Sequence, residues 1–184
     1  MENILKILEL GSCEEKIKIL QTLDCTENQE FLEKVILKLD DDDIQVRGEA
    51  FSSLVLNENK IANVLIKSLN STSKNIRGFA SLVLANRNET TAIPEIIKLA
   101  NDERSMVRAC AIGALGYLKA QEAKEIFLES LFDSNLEVRK SALQAVIDLN
   151  LTISENIINK IIKEKDPEIK KLLSILKKSG PEGI

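Results

Sequence analysis

A basic residue recurs along this sequence, and an acidic residue stands six positions before most of its copies. Asp102 precedes Arg108 in this way and Asp133 precedes Arg139, whereas Ser71 occupies the equivalent position in an earlier copy. A row of paired carboxylates and guanidinium groups could hold catalytic acids and bases or bind phosphate. The same groups can stabilise a structure instead, because the planar fork of arginine binds a carboxylate through two hydrogen bonds.

Histidine is absent from the 184 residues. The chain therefore has no Ser-His-Asp or Cys-His arrangement, no imidazole ligand for a metal ion, and no general base of the kind that most often acts near neutral pH. These exclusions weigh against enzymatic activity. We assign no catalytic residue and expect no cofactor.

The run of four acids from Asp40 to Asp43 is the other group that could do chemistry, because carboxylates bind divalent metal ions. Calcium commonly takes its ligands from an alternating loop with a glycine at the turn, and this run has neither that spacing nor the distal glutamate. We expect Asp43 instead to cap the next helix and to complement its dipole. No metal site is predicted.

Charge, cysteine content and hydropathy indicate the compartment and exclude several classes of protein. The net charge is −4, so the chain lacks the basic field that non-specific nucleic-acid binding uses. Three cysteines without a C-x-x-C pair fit reduced thiols inside a cell. The first ten residues lack the features of a signal peptide, and no apolar run is long enough to span a membrane. We expect a cytoplasmic protein without a membrane or nucleic-acid partner.

A repeat of 30 or 31 residues positions all of these groups. Around Arg108, for example, Val107, Ala111 and Leu115 lie one position before, three after and seven after the basic residue. Each of these steps is about one helical turn, so the apolar residues share one face of a helix. A second apolar stripe upstream marks a preceding helix. Each copy therefore predicts helix A, a polar turn, helix B and another polar turn.

The register predicts six such pairs, hence twelve helices and almost no strand. Helix starts agree with it: Ser12, Ser134 and Thr152 each precede a glutamate by three positions, which is the spacing of a capping box, and Pro167 follows a cap residue, Asp166. The six repeats are expected at residues 2–24, 28–56, 59–86, 90–118, 121–149 and 153–178. We interpret residues 1–178 as a single domain and residues 179–184 as a flexible tail.

The motif D-x-x-x-x-V-R-x-x-A-x-x-x-L resembles HEAT repeats. It stands as Asp102-Val107-Arg108-Ala111-Leu115 and, with a valine at the last position, as Asp133-Val138-Arg139-Ala142-Val146. The short period, and the segment 107–116 in particular, is similar to the HEAT-like repeats named after phycobilin (PBS) lyases. Over residues 2–178 the resemblance implies an all-α fold, a right-handed α-α superhelix or HEAT-like solenoid of about six two-helix repeats.

The resemblance also favours the structural interpretation of the acid–base pairs. In HEAT-like arrays the turn carboxylate and the helix-B arginine pair within and between repeats as a ladder. Because Ser71 breaks the pattern, we expect Arg77 to find another acceptor. The ladder positions of this chain are Asp41, Arg47, Arg77, Asp102, Arg108, Asp133, Arg139, Glu164 and Lys170.

Positions two, five, six and nine residues after each basic residue should face away from the core, towards the concave surface. They are apolar and partly aromatic in the third and fourth copies but polar in the flanking copies. An apolar strip with polar flanks is typical of a protein-binding groove, although burial between neighbouring B helices would also explain it. The candidate binding residues are Phe79, Leu82, Val83, Asn86, Cys110, Ala114 and Tyr117.

We therefore expect a non-enzymatic scaffold or adaptor that binds another protein on its B helices. The alternative, implied by the resemblance, is a phycobilin-lyase-like protein that binds or transfers a chromophore, although no residue pattern marks a tetrapyrrole pocket. The first 46 residues are strongly acidic and the last 34 are slightly basic, which would allow weak end-to-end association. We expect a monomer or a weak homo-oligomer.

Overall fold

A computed structural model describes residues 2–23, 25–163 and 165–179 of the chain. Within these residues the fold consists of twelve α-helices and three short 3-10 turns, with no strand. The helices form the six predicted A/B pairs, so the prediction of an all-α repeat fold is confirmed. Not one of these helices has both the length and the apolar character needed to cross a membrane.

The chain divides into two compact units, residues 1–95 and 96–184. The single domain expected for residues 1–178 stays a prediction. Of the predicted tail, Ser179 is the last residue of the final helix, and residues 180–184 lie outside the described residues.

The first unit contains the first three helix pairs and the beginning of the fourth. Its helices are α1 (Glu2–Leu10), α2 (Cys13–Leu20), α3 (Gln29–Leu37), α4 (Ile44–Leu56), α5 (Ala62–Ser68) and α6 (Lys74–Asn86). The division between the units falls within α7 (Ile93–Leu99). The second unit continues with α8 (Ser105–Tyr117), α9 (Lys124–Ser130), α10 (Leu136–Asp148), α11 (Glu155–Ile161) and α12 (Pro167–Ser179).

Local capping explains where several helices begin. At the start of α2, Ser12 accepts a hydrogen bond from the backbone N–H of Glu15 at 3.3 Å, and the Glu15 carboxylate accepts one from the backbone N–H of Ser12 at 2.8 Å. Asp43 accepts from the first backbone N–H groups of α4, and Asp166 does the same for α12. These three predicted caps are confirmed.

The other two predicted capping boxes are wrong. The side chain that caps α10 belongs to Asn135, not to Ser134, and the one that caps α11 belongs to Ser154, not to Thr152. In each case a second residue with an oxygen acceptor lies nearer to the first helical turn, and its side chain reaches the free N–H groups there.

Three of the B helices end in the same left-handed turn. Asn88, Lys119 and Asn150 follow α6, α8 and α10 with φ angles of 57°, 53° and 50°. The next N–H then bonds back to a carbonyl inside the helix, as from Ala120 to Leu115 at 3.0 Å. This is the Schellman arrangement, which satisfies the last carbonyls of a helix and turns the chain into the next repeat.

The two units each bury the apolar stripes that the repeat predicted. Side chains without any exposed area in the first unit include Leu8, Leu20, Leu39, Leu65 and Leu84. Those in the second unit include Ile96, Leu115, Phe127, Leu143 and Val146. Aliphatic residues at fixed offsets thus supply most of the hydrophobic stabilisation, and large aromatic residues have a small part in it.

Helices α8 and α10 approach each other through small residues. A Cβ atom added to Gly116 would lie 2.9 Å from the Cβ of Ala145 and 3.3 Å from its Cα. Non-bonded carbon atoms prefer about 3.5–4.0 Å, so this spacing requires a glycine at position 116. By contrast, a Cβ on Gly113 would meet no atom within 4 Å.

Candidate functional site

Each helix-B arginine first binds the turn of its own repeat. In Arg47, Arg77, Arg108 and Arg139, Nη1 donates to the backbone carbonyl of the residue six positions earlier, at 2.7, 2.8, 2.9 and 2.8 Å respectively. It also donates to the next carbonyl in each case. For Arg47 and Arg108 the predicted pairing with the carboxylate of the same repeat is therefore wrong, because the acceptor there is the main chain.

The side chain of the turn residue binds the main chain of its own turn. Its side-chain oxygen accepts from the backbone N–H two residues later, at 3.2 Å for Asp41 and 2.8 Å for both Asp102 and Asp133. Ser71 does the same through its hydroxyl at 3.2 Å. Since Arg77 binds the carbonyl of Ser71, the missing carboxylate leaves the contact within that repeat unchanged.

Between repeats, the predicted ladder is present where Arg108 meets Asp133. Nε and Nη2 of Arg108 donate to the two carboxylate oxygens of Asp133 at 2.8 and 2.9 Å, which is the bidentate geometry. The hydrogen bonds from Arg108 hold the pKa of Asp133 below its ordinary value, while its own burial acts in the opposite direction. The pair is mostly buried, with about 16% and 14% of the two side chains exposed.

A lysine version of the same bridge joins the first two repeats. Nζ of Lys16 lies 2.9 Å from Oδ2 of Asp41, and Nζ of Lys38 lies 3.1 Å from the same oxygen. Burial raises the pKa of Asp41, but hydrogen bonds from Lys16, from the backbone N–H of Asp43 and from Lys38 outweigh it and lower the pKa overall.

The ladder in the last repeat stays a prediction. Lys170 is exposed and forms no ion pair within the described residues, but its predicted partner is not among them. Glu164 lies outside the described residues. Among the described residues, Lys140 on α10 pairs with two carboxylates of the last repeat: its Nζ lies 2.8 Å from Glu168 and 3.7 Å from Asp166.

The Asp40–Asp43 run is engaged in structural contacts. Asp41 is bound by two lysines, and Asp43 accepts from Gln45 and Val46 at the start of α4. Asp40 accepts a hydrogen bond from the amide of Asn75 at 2.8 Å. Among the described residues no cluster of three or more potential ligands could hold a metal ion.

The first unit carries four of the seven candidate binding residues, all on α6. Val83 has no exposed area and cannot contact a partner, so its assignment is wrong. Phe79 and Leu82 are half-buried, and only Asn86 is exposed, with its amide bonded to the carbonyl of Leu82 at 2.8 Å. This part of the predicted strip therefore presents little apolar surface.

The second unit carries the other three candidates, on α8. Ala114 is fully buried, so its assignment is also wrong. Cys110 is half-buried with its sulfur 3.7 Å from Sδ of Met106, and burial raises the pKa of its thiol to about 11. A thiol with that pKa is protonated at neutral pH and a poor nucleophile. Tyr117, by contrast, is 63% exposed.

A groove runs along the B helices of the second unit and includes Tyr117. Its volume is about 410 Å³. Gly113 lies in it with open space where a side chain would stand, and Leu172 adds an apolar contribution from α12. Most of its other residues lie on α10 and are polar: Glu137, Lys140, Ser141, Gln144 and Asp148. The sequence analysis named Tyr117 as a candidate and placed Ser141, Gln144 and Asp148 on the same face, but it counted these three as the polar flank of an apolar strip and missed Glu137 and Lys140.

The first unit also contains a buried arginine that the repeat pattern did not mark. Arg87, at the end of α6, donates through Nη1 to the carbonyls of Asn57 and of Leu54, and through Nη2 to that of Asn59 at 2.8 Å. Its Nε also lies 3.5 Å from the carboxylate of Glu89. The guanidinium group thus donates to carbonyls at the C-terminal end of α4, where the helix dipole favours a cation, so its function is structural.

Residues 62–147 match the family model for HEAT repeats. The resemblance to HEAT-like repeats that the motif predicted is thereby confirmed. A part of the chain is also 35% identical over 74 residues to epoxyqueuosine reductase of Staphylococcus aureus (strain NCTC 8325 / PS 47). The aligned residues are 40% of this chain and only 20% of the reductase, so the chain spans about a fifth of that enzyme.

Solved structures of similar fold belong to the same class of helical repeats. The complex of CpcE and CpcF of phycocyanin lyase from Nostoc sp. PCC7120 matches with a TM-score of 0.68 at 16% identity, over 81% of this chain and 99% of that one. A designed armadillo repeat protein in complex with the peptide (KR)4 matches with a TM-score of 0.57 at 17% identity, over 95% and 96%. At these identities the likeness concerns the fold alone. The protein is an armadillo- or HEAT-like helical repeat protein.

Proposed function

We propose that this protein is a non-enzymatic scaffold that binds another protein through the B-helix groove of its second unit. The observation that carries the proposal is the groove itself. It combines an exposed aromatic side chain, Tyr117, with an open position at Gly113 and a row of polar side chains along α10. Exposed aromatic residues are enriched where proteins bind one another, and polar rims surround such contacts.

The chemistry of the chain supports binding rather than catalysis. The sequence has no histidine, and the one cysteine of the predicted strip, Cys110, is held as a thiol by its raised pKa. The repeating acid–base pairs are engaged with one another and with the main chain, as in Arg108 and Asp133. A similar fold holds a bound peptide in the designed armadillo repeat protein.

The experiment that tests the proposal fills the groove without disturbing the fold. Gly113→Gln places a side chain in the open space, and the helix gains from losing a glycine. Gly48→Gln is the matched control, since Gly48 also lies on a B helix with nothing within 4 Å of its Cβ position. Both variants and the wild type are used as bait in cross-linking and affinity purification from the native source, followed by mass spectrometry.

A partner captured by the wild type and by Gly48→Gln, but lost with Gly113→Gln and weakened by Tyr117→Ala, would support the groove as the binding site. The proposal is wrong if every captured protein is retained by Gly113→Gln with unchanged yield. Circular dichroism of each variant checks that all four baits are equally helical.

The second candidate is a chromophore-binding or chromophore-transferring protein. The likeness in fold to the CpcE and CpcF complex of phycocyanin lyase favours it. Incubation with a free bilin tests it: a shifted and intensified visible absorption band that co-elutes with the protein would support chromophore binding. An unchanged spectrum would exclude it and leave the scaffold as the single candidate.

A further inference from the structure

We infer that the first unit carries a binding site of its own, where the junction between the second and third repeats takes an acidic side chain of a partner protein and an aliphatic side chain next to it. The carboxylate binds Arg47, and the aliphatic side chain lies in a cleft between α3 and α5. This inference goes beyond the proposed function and uses none of the residues that line the B-helix groove.

The bridge between neighbouring repeats is incomplete at this junction. In the second unit Arg108 binds the turn carboxylate of the next repeat, Asp133, through Nε and Nη2. At the equivalent junction of the first unit the basic residue is Arg47 and the turn residue is Ser71. A hydroxyl group replaces the carboxylate there, so the arginine has no anion opposite it in the next repeat.

The guanidinium group of Arg47 is held in the same way as that of Arg108. Its Nη1 donates to the carbonyls of Asp41 and Asp42 at 2.7 and 3.1 Å. In Arg108 the two equivalent distances are 2.9 and 3.4 Å. Because the group is planar and the two helix positions are equivalent, the Nε and Nη2 edge faces the next repeat in both cases. Among the described residues nothing accepts a hydrogen bond from that edge of Arg47, so it is available for bidentate binding of a carboxylate.

Ser71 keeps the conformation of the turn without supplying the anion. Its hydroxyl accepts from the backbone N–H of Ser73 at 3.2 Å, as the carboxylate of Asp133 accepts from that of Asn135 at 2.8 Å. The two side chains thus start from equivalent positions, but the serine has neither the negative charge nor the second oxygen. A carboxylate of a partner can take the place that the Asp133 carboxylate has in the second unit.

An apolar cleft adjoins this junction, because Ser71 is part of its lining. The cleft has a volume of about 340 Å³. Its aliphatic lining consists of Ile36 and Leu37 from α3, Val64 from α5 and Ile76 from α6. Leu37 is 53% exposed, so an aliphatic side chain of the partner can bury area against it while the adjoining carboxylate reaches Arg47.

The charges around the cleft favour an acidic partner. Lys67 lines the cleft, is exposed, and forms no ion pair among the described residues. The acid of the lining, Glu33, accepts a hydrogen bond from a glutamine amide of its own helix at 2.8 Å. In the nearby run Asp40–Asp43, the carboxylates of three residues are bound by lysines, backbone N–H groups or an amide. The fourth, Asp42, is exposed, so water and salt screen its charge.

The inference is tested with three peptides whose ends are blocked: Ser-Leu-Leu-Glu-Leu-Leu-Ser, the same peptide with glutamine in place of glutamate, and the same peptide with alanine in place of every leucine. Binding to the full chain is followed by NMR at low ionic strength, through the Nε–Hε resonance of Arg47. We expect the first peptide to shift this resonance saturably. The glutamine peptide should bind about tenfold more weakly, because it loses a hydrogen bond between charged groups. The alanine peptide should also bind about tenfold more weakly, because it buries less apolar area in the cleft.

Two pairs of variants locate the site. Ser71→Asp supplies the missing carboxylate from within the chain and should abolish binding of the acidic peptide. Thr72→Asp makes the same charge change one residue away and should leave the affinity within about threefold. Leu37→Gln should weaken binding about fivefold, whereas Leu56→Gln, at an exposed leucine outside the cleft, should not.

The inference is overturned if the glutamine or the alanine peptide binds as tightly as the first peptide, or if no peptide shifts the resonance of Arg47. It is also overturned if Ser71→Asp retains binding, or if the two members of either pair of variants behave alike. None of these outcomes bears on the proposed function, because the residues that test it lie in the second unit.

Discussion

Because α8 and α10 approach each other closely at Gly116, a glycine-to-alanine substitution should have opposite effects on stability at two positions of α8. Replacing a glycine by alanine inside a helix is favourable by about 0.5–1 kcal/mol, because the backbone loses less entropy on folding. Gly113→Ala should show this gain in full, since the new Cβ meets nothing within 4 Å.

Gly116→Ala should instead destabilise the protein. Its Cβ would lie 2.9 Å from that of Ala145, about 0.6–1 Å inside the preferred carbon–carbon distance. The groups that must yield are the Cα and Cβ of a neighbouring helix, which cannot rotate away. Overpacking of this kind costs about 1–3 kcal/mol, so after the helix gain the net loss is about 0–2.5 kcal/mol.

The difference between the two alanine variants is the decisive quantity, because the helix gain cancels in it. We expect Gly113→Ala to exceed Gly116→Ala by about 1–3 kcal/mol in the free energy of unfolding, measured by urea titration with circular dichroism. Adding Ala145→Gly to Gly116→Ala moves the methyl group across the interface and should return the stability close to the wild type. Equal stabilities for the two single variants, or no rescue, would refute the reasoning.

Three further predictions concern the ladder and the half-buried thiol. Arg108→Ala should lower the free energy of unfolding by about 2–3 kcal/mol, because it removes a mostly buried bidentate pair, and it should leave partner binding intact. An unchanged melting temperature with lost binding would contradict the structural role of Arg108. Ser71→Asp should stabilise the protein by about 0.5–1 kcal/mol in a thermal melt, because its carboxylate would stand at the position from which Asp133 binds Arg108 and would offer Arg47 of the preceding repeat the same bridge. Thr72→Asp, which places the charge one residue away, should not stabilise it. Cys110 should be alkylated slowly at pH 8, because a thiol with a pKa of about 11 is only about one part in a thousand thiolate at that pH. The alkylation rate, followed by mass spectrometry, should rise about tenfold per pH unit up to that pKa. A rate that is constant with pH would contradict the raised pKa.

The features of the fold that the sequence predicted well are those set by short-range interactions. Helix periodicity depends on residues three and four apart, and it predicted all six A/B pairs. The capping box at Ser12 and the cap at Asp43 depend on residues within one turn, and both are present. Where two neighbouring residues could cap, as at Ser134 and Asn135, the pattern did not determine which one does.

The features that could not be predicted depend on the main chain or on other helices. Arg108 binds the carbonyl of Asp102, and a carbonyl acceptor has no signature in the residue types. Val83 and Ala114 lie on the side of their helices opposite the apolar stripe, yet both are fully buried. Their exposure depends on how closely neighbouring helices approach, which in α8 and α10 is set by a glycine and an alanine.

The carbonyl contact of the helix-B arginines has a consequence for how this chain can diverge. Every residue has a carbonyl oxygen, so the contact within a repeat survives any substitution in the turn that keeps its backbone conformation, as it does at Ser71. The turn side chain is then free to vary, and what changes with it is the bridge to the neighbouring repeat. Evolution can therefore adjust how firmly adjacent repeats are joined, one junction at a time, without altering the repeat itself.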